Sequence, residues 1–302
     1  MNEAAVDTAS PAPADVPAVA DEAPPQVSWR RTLRRLLRRR MAVIGAVMVL
    51  VFLGVALIGP FFAGSSTKLG LTDILAGATG EHWLGTDDLG RDVLSRICNG
   101  ARVSLLAGVV SSALAMAVGV PLGLAAGYFR GWTDSVLMRI TDVVLSFPYL
   151  IFAVGMAAIL GPSLRNVIIA LAVAEVPSVI RVVRGETLVL RQQDFVQAAV
   201  ADGTGDLAIM GRSILPNMTN TLIVKATVAI PAGILGEAAL SFLGLGVQPP
   251  QASWGVMLTS AQQFLAQDPL LAVFPGVAIA LTTLGFNLLG DGLRDVLDPR
   301  EL

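Results

Sequence analysis

Residues 194–217 read DFVQAAVADGTGDLAIMGRSILPN, and how this stretch is read decides what kind of protein the rest of the chain builds. It is the longest soluble-looking insert between the apolar runs of the second half, and it is built to hold a shape. Asp194 is placed to N-cap a short helix, with Gln197 three residues on completing a capping box. Ala198, Ala199 and Ala201 are strong helix formers, and Phe195 sits at the start of the same turn. Gly203 supplies the left-handed residue that stops that helix. Thr204 is placed to cap a second segment, in which Leu207, Met210 and Ile214 fall on one face at helical spacing. Leu215 and Pro216 close the unit. The expectation is helix, glycine corner, helix, offering a small apolar face to something outside the membrane. A mere connector between two spans has no need of such order.

The flanking sequence is what brings a membrane into the argument. Of 302 residues, 54% are hydrophobic and 15% charged, with a mean hydropathy of +0.69. That is too apolar for an ordinary soluble domain. One cysteine, Cys98, excludes an internal disulfide, and one histidine, His82, leaves no metal site of the usual kind to expect.

Six apolar runs are expected to span the bilayer, at about residues 41–63, 103–129, 139–161, 166–181, 218–243 and 269–290. Most exceed the roughly 20 residues a bilayer core requires, while 166–181 is shorter. Residues 1–29 hold five acids, five prolines and no Lys or Arg. They are expected to be a disordered acidic Pro/Ala-rich tail. Residues 30–40 carry seven arginines and form a basic juxtamembrane segment. That run reads as an anchor for anionic lipid head groups, not as a nucleic-acid arm, and it places the N-terminus in the cytoplasm. Six spans then return the C-terminus to the same side. The predicted class is an all-α integral membrane protein with six transmembrane helices and both termini cytoplasmic, its membrane domain being 41–302. On this count the loop at 184–217 is cytoplasmic. In the second span Gly108, Gly119, Gly123, Gly127 and Pro121 read as packing devices.

Several polar groups stand out. TDDLGRDVLSR, residues 86–96, is expected to form an amphipathic helix at the outer surface, with Val93, Leu94 and Ile97 on one face. Its Asp87, Asp88, Arg91 and Asp92 are either structural or a docking point for an outer partner. Glu175, Lys225 and Glu237 are the intramembrane polar residues. Glu175 and Lys225 read as snorkelling to the inner interface or as gate residues. Glu237 is either a partner inside an assembly or a pore contact.

What is missing narrows the chemistry. A phosphate-binding loop requires a lysine after GxxxxG, and neither Lys68 nor Lys225 has that context. A Ser–His pair within the membrane is excluded by the position of His82. Paired intramembrane aspartates are absent from the sequence. The chain therefore reads as non-catalytic: a pore-forming subunit powered by another protein through the 194–217 loop. The competing class is a stand-alone proton-coupled secondary transporter, for which Glu175, Lys225 and Glu237 are the available groups.

The residues also carry a resemblance. Gln197-Ala198-Ala199, then Gly203, then Leu215-Pro216 follow the cytoplasmic loop pattern of permease subunits of binding-protein-dependent ABC importers, with Gln197 in place of the usual Glu and Ser213 where Ile is common. Glu237-Ala238-Ala239 spells similar letters, but Leu243 stands where the glycine belongs. HWLGTDDLGRDVLSR (82–96), GARVSLLAG (100–108), ALSFLGLGVQPP (239–250), SWG (253–255) and FNLLGDGLRDVLDPR (286–300) resemble the peptide/nickel branch, the dipeptide and oligopeptide permease C type. Glu175-Val176-Pro177 departs from the Gly-Trp-Pro of relatives. The resemblance implies a type I ABC importer permease fold in the inner membrane. It further implies a second homologous permease, two ATP-binding subunits holding ATP and Mg, and an extracytoplasmic substrate-binding protein. No cofactor is expected on this chain. The loop's first helix is expected to dock on one ATPase, and the cargo is expected to be di- or oligopeptides.

Overall fold

In lipid a backbone must satisfy its own hydrogen bonds, and helices do so within one segment. The computed structural model describes residues 34–62, 66–70 and 72–297, and its long apolar runs are helical. The acidic tail, Arg30, Arg31 and the last five residues lie outside the described residues.

Helix α1 (Arg40–Phe62) matches the first expected span. Helix α2 (Val93–Phe129) has 37 residues and starts ten residues before the expected second span. At 1.5 Å per residue it is about 55 Å long, more than a bilayer core is thick. Its start is set by Asp92, whose carboxylate accepts the Ser95 amide at 2.7 Å. Residues 86–92 therefore are not the first turns of an amphipathic helix. They form a loop closed by a bridge between Thr86 and Asp92.

The third expected span is two helices, α3 (Gly131–Leu145) and α4 (Tyr149–Leu160), bent by 89°. Pro148 lies in the break, where its missing N–H costs least. Five helices are individually long and apolar enough to cross a membrane, and this bent pair raises the number to six if it is one span.

Helix α5 (Leu164–Leu190) corrects the fourth expected span, 166–181. It is 27 residues long, accommodates Pro177, and runs through the first residues of the supposed 184–217 loop. Its continuation is held by packing. Gly119, Gly123 and Gly127 of α2 lie against Val179, Val183 and Thr187 of α5, four residues apart on both helices. A Cβ at Gly123 would lie 2.7 Å from Cβ of Val183, so these helices approach as closely as glycine permits.

After the polar loop (helices α6 Asp194–Ala201, α7 Asp206–Ala208 and α8 Leu215–Asn217) comes α9 (Thr219–Phe242). A short helix, α10 (Trp254–Gln262), precedes α11 (Leu270–Leu297). Helix α11 continues through the tail expected after residue 290, because Gly290 and Gly292 fit against Thr227 and Ala42. The start of α1, the 194–217 loop and the end of α11 share one end of the bundle, here called the loop end; Arg39 and Asp295 pair there at 3.6 Å. The Thr86–Asp92 loop and α10 cap the far end, where Trp254 is fully buried, its Nε1 donating to the Ile97 carbonyl at 3.2 Å.

Candidate functional site: the 194–217 corner and the intramembrane ion pair

Helix α6 forms as expected, but without the capping box. Gln193, not Asp194, is its N-cap and makes no side-chain cap bond. Gln197 instead donates from Nε2 to the Arg191 carbonyl at 2.8 Å, tying α6 back to the end of α5. The helix ends as the sequence predicts. Gly203 has φ +75°. Its amide donates to Val200 and the Thr204 amide to Ala199, both at 3.0 Å. That pair of bonds is the Schellman stop, which requires the left-handed residue between them.

Beyond the corner the expected regular helix does not form. Gly205, not Thr204, precedes α7, and Ile209–Ile214 is a π-helical turn. The wider turn breaks the three-residue face predicted from ideal spacing. Met210 and Ile214 are buried with Ile209 and Val196, while Leu207 is 80% exposed. The buried set rests on Tyr128, Val179 and Val183, the lower part of the α2–α5 seam. Tyr128 donates its hydroxyl to Asp206 at 2.8 Å, and the Arg191 guanidinium lies 5.4 Å from the Tyr128 ring centre. The loop is thus fixed to the spans on its inner face. On its outer face it leaves Phe195, Val200 and Leu207 open, beside exposed Gln197, Ala198 and Pro216; Ala199 and Leu215 are half-buried.

Two ion pairs lie above this corner. Arg184 of α5 grips both carboxylate oxygens of Asp134 on α3, one of them at 2.6 Å from Nη2. Arg181 binds Asp142 at 2.8 Å, with both side chains exposed. Sequence reasoning missed both pairs. Their trace was arginine within an otherwise apolar run, meaningful only once α5 is known to extend beyond residue 181.

Glu175 and Lys225 do not snorkel separately. Lys225 Nζ donates to Glu175 Oε1 and to Ser178 Oγ, each at 2.7 Å, linking α9 to α5. Glu175 stands near the middle of α5, not at a span end. Glu237 is fully buried and accepts from Ser104 and Ser241 hydroxyls, each at 2.7 Å. It is committed within the chain, so it is neither exposed to a partner nor to a pore.

At the far end Asp87 is the hub of a buried cluster. It accepts from the Leu89 and Arg91 amides at 3.0 and 2.9 Å and from Arg91 Nε at 2.7 Å, and it meets Arg96 at 3.2 Å. Asp87 and Arg91 therefore shape the loop from inside. Asp88 and Asp92 keep part of their surface open, Asp92 facing His82 Nδ1 at 3.0 Å. Among the described residues no group of three or more His, Cys, Asp or Glu side chains is placed to hold a metal ion.

Comparison with known proteins places this architecture. Residues 119–302 match the family described as binding-protein-dependent transport system inner membrane component. Residues 28–75 match the N-terminal TM domain of oligopeptide transport permease C. The chain is similar to the dipeptide transport system permease protein DppC of Alkalihalophilus pseudofirmus, 42% identical over 90% of each chain. It is also similar to the glutathione transport system permease proteins GsiD of Pectobacterium atrosepticum, 41% identical over 95% of this chain and 96% of that one, and of Escherichia coli O157:H7, 44% identical over 90% of each. Among solved structures, the MetNI methionine ABC transporter in inward-facing conformations matches with a TM-score of 0.56 at 18% identity, covering 67% of this chain and 96% of that one. That likeness concerns the fold.

Proposed function

The chain belongs to the family of binding-protein-dependent transport system inner membrane components, and from that premise we propose that it forms half of the pore of an ATP-driven peptide importer. Its relatives carry the names of dipeptide and glutathione permeases, which supports peptides as the cargo class. The family membership sets aside the stand-alone proton-coupled carrier, and Glu175, Lys225 and Glu237 are each engaged within the chain.

One observation carries the coupling role. The corner at 194–217 is anchored on its inner face to the α2–α5 seam and leaves Phe195, Val200 and Leu207 exposed on its outer face. Apolar side chains held outward on an ordered polar loop fit a groove on a partner protein. In this reading that partner is one of two ATP-binding subunits, which hold ATP and Mg, while a second homologous permease completes the pore. The loop end lies in the cytoplasm, as the arginines before α1 favour. The far end receives an extracytoplasmic binding protein, with Asp88 and Asp92 at its rim.

The test is purification of the tagged chain from its native membrane in mild detergent, with mass spectrometry of the proteins retained. A second multi-span permease and one or two ATPases are expected, and they are lost on deletion of 197–203. Recovery of the chain alone, or as a homodimer without an ATPase, overturns the reading.

A further inference from the structure

Charged side chains inside spans are expensive and mark what passes through them. The Glu175–Lys225 pair is 14–15% exposed at its side chains, so it is neither sealed in the core nor turned to lipid. A cavity of about 560 Å³ lies below it, toward the loop end. On α5, Glu175, Ser178, Val182 and Glu186 follow one another at helical spacing along a single face. On α9, Thr221, Lys225 and Val228 do the same. The cavity is lined by Val182 and Glu186 of the first face, by the second face and by Arg294 of α11, together with Asn217 and Asn220; Glu175 and Ser178 adjoin it through their bonds to Lys225. That lining combines the charges of Lys225, Glu186 and Arg294 with aliphatic side chains, and Lys225 connects it to the ion pair.

We infer that Glu175 and Lys225 form a cargo-contacting site in this half of the pore, where a zwitterionic peptide gives its carboxylate to Lys225 and its ammonium to Glu175. The inference rests on the peptide-importer reading above. Its physical basis is charge conservation. Opening the pair for a partner that brings one charge of each sign leaves every charge compensated, whereas a peptide with one blocked terminus strands one of the two side chains unpaired. Lys225 would keep its bond to Ser178 during the exchange. The site selects on the two termini and is indifferent to the side chains between them.

The experiment uses the assembled importer in inside-out vesicles. Thr221→Cys places a thiol in the cavity wall one turn from Lys225, and the natural Cys98 is buried. Labelling of this chain by a water-soluble maleimide is followed with alanyl-alanine, N-acetyl-alanyl-alanine or alanyl-alanine amide present. Alanyl-alanine slows labelling and the two blocked peptides do not. In Lys225→Gln or Glu175→Gln backgrounds the protecting concentration rises about tenfold, as loss of one charge-assisted contact implies. The double exchange Glu175→Lys with Lys225→Glu keeps protection, which separates cargo contact from simple misfolding. Equal protection by free and blocked peptides, or protection unchanged in both single variants, overturns the site. ATP-dependent uptake of alanyl-alanine is measured on the same importer with its binding protein. Uptake without protection removes the site and leaves the importer reading standing; absence of uptake removes both.

Discussion

The amide of Thr204 donates to the carbonyl of Ala199 at 3.0 Å across Gly203, whose φ is +75°. This bond fixes the direction in which the chain leaves α6, and with it the spacing of Val200 and Leu207 on the exposed face. A Cβ at Gly203 would meet nothing within 4 Å, so any cost of substitution there is a backbone cost.

Replacing Gly203 therefore separates shape from contact. Gly203→Ala costs about 1 kcal/mol and Gly203→Val more, because a β-branched residue resists positive φ. Gly203→Asn is tolerated, since asparagine visits that region. In reconstituted importer, Gly203→Val is expected to lose ATP-driven uptake while the spans stay folded, and Gly203→Asn to retain it. Wild-type uptake by Gly203→Val would show that the corner's geometry is not needed for coupling.

Glu237 of α9 is joined to α2 by the Ser104 hydroxyl, while Ser241, one turn on in α9, donates to its other oxygen. Glu237→Ala leaves both hydroxyls without their buried acceptor and opens a void, for a loss of about 2–4 kcal/mol. Glu237→Gln keeps the shape and one acceptor oxygen, and loses less. Thermal unfolding of the detergent-solubilised chain should rank wild type above Gln above Ala. A Gln variant less stable than Ala contradicts the acceptor role.

The glycine seam has a directional test. Gly123→Val places a side chain where Val183 already sits, 2.7 Å from its Cβ, and also crowds the Ile180 carbonyl at 2.9 Å. Overpacking of this kind costs about 1–3 kcal/mol. Adding Val183→Ala should recover part of the loss in the same unfolding assay. Equal damage with and without Val183→Ala would place the cause outside this contact.

Arg184 binds Asp134 through two nitrogens, which lysine does not reproduce. Arg184→Lys and Arg184→Ala should both lower the unfolding midpoint, while exchange of the two residues, Arg184→Asp with Asp134→Arg, restores much of it. Full stability of Arg184→Ala would show that the pair adds nothing at this partly exposed position.

Much of this protein was legible as sequence because its signals are local. Long, mostly apolar runs mark α1, α9 and α11 as spans, since the bilayer asks only for apolar backbone-satisfied segments. Gly203 marked the corner because left-handed φ is a property of one residue, and the polar character of 194–217 marked the candidate site. What local signals missed came from neighbours distant in the chain. Helix α5 runs to Leu190 because Gly127 of α2 lets Thr187 pack against it. The face of 206–214 differs from ideal spacing because the π-helical turn seats Ile209, Met210 and Ile214 against Tyr128 and Val183. Glu175 and Lys225 are 50 residues apart and are a pair only because α5 and α9 meet. Sequence alone determined that the chain is helical, crosses a membrane and carries an ordered loop. Tertiary structure decided which charges neutralise one another and which apolar side chains remain exposed, because burial and pairing depend on what the rest of the fold brings alongside.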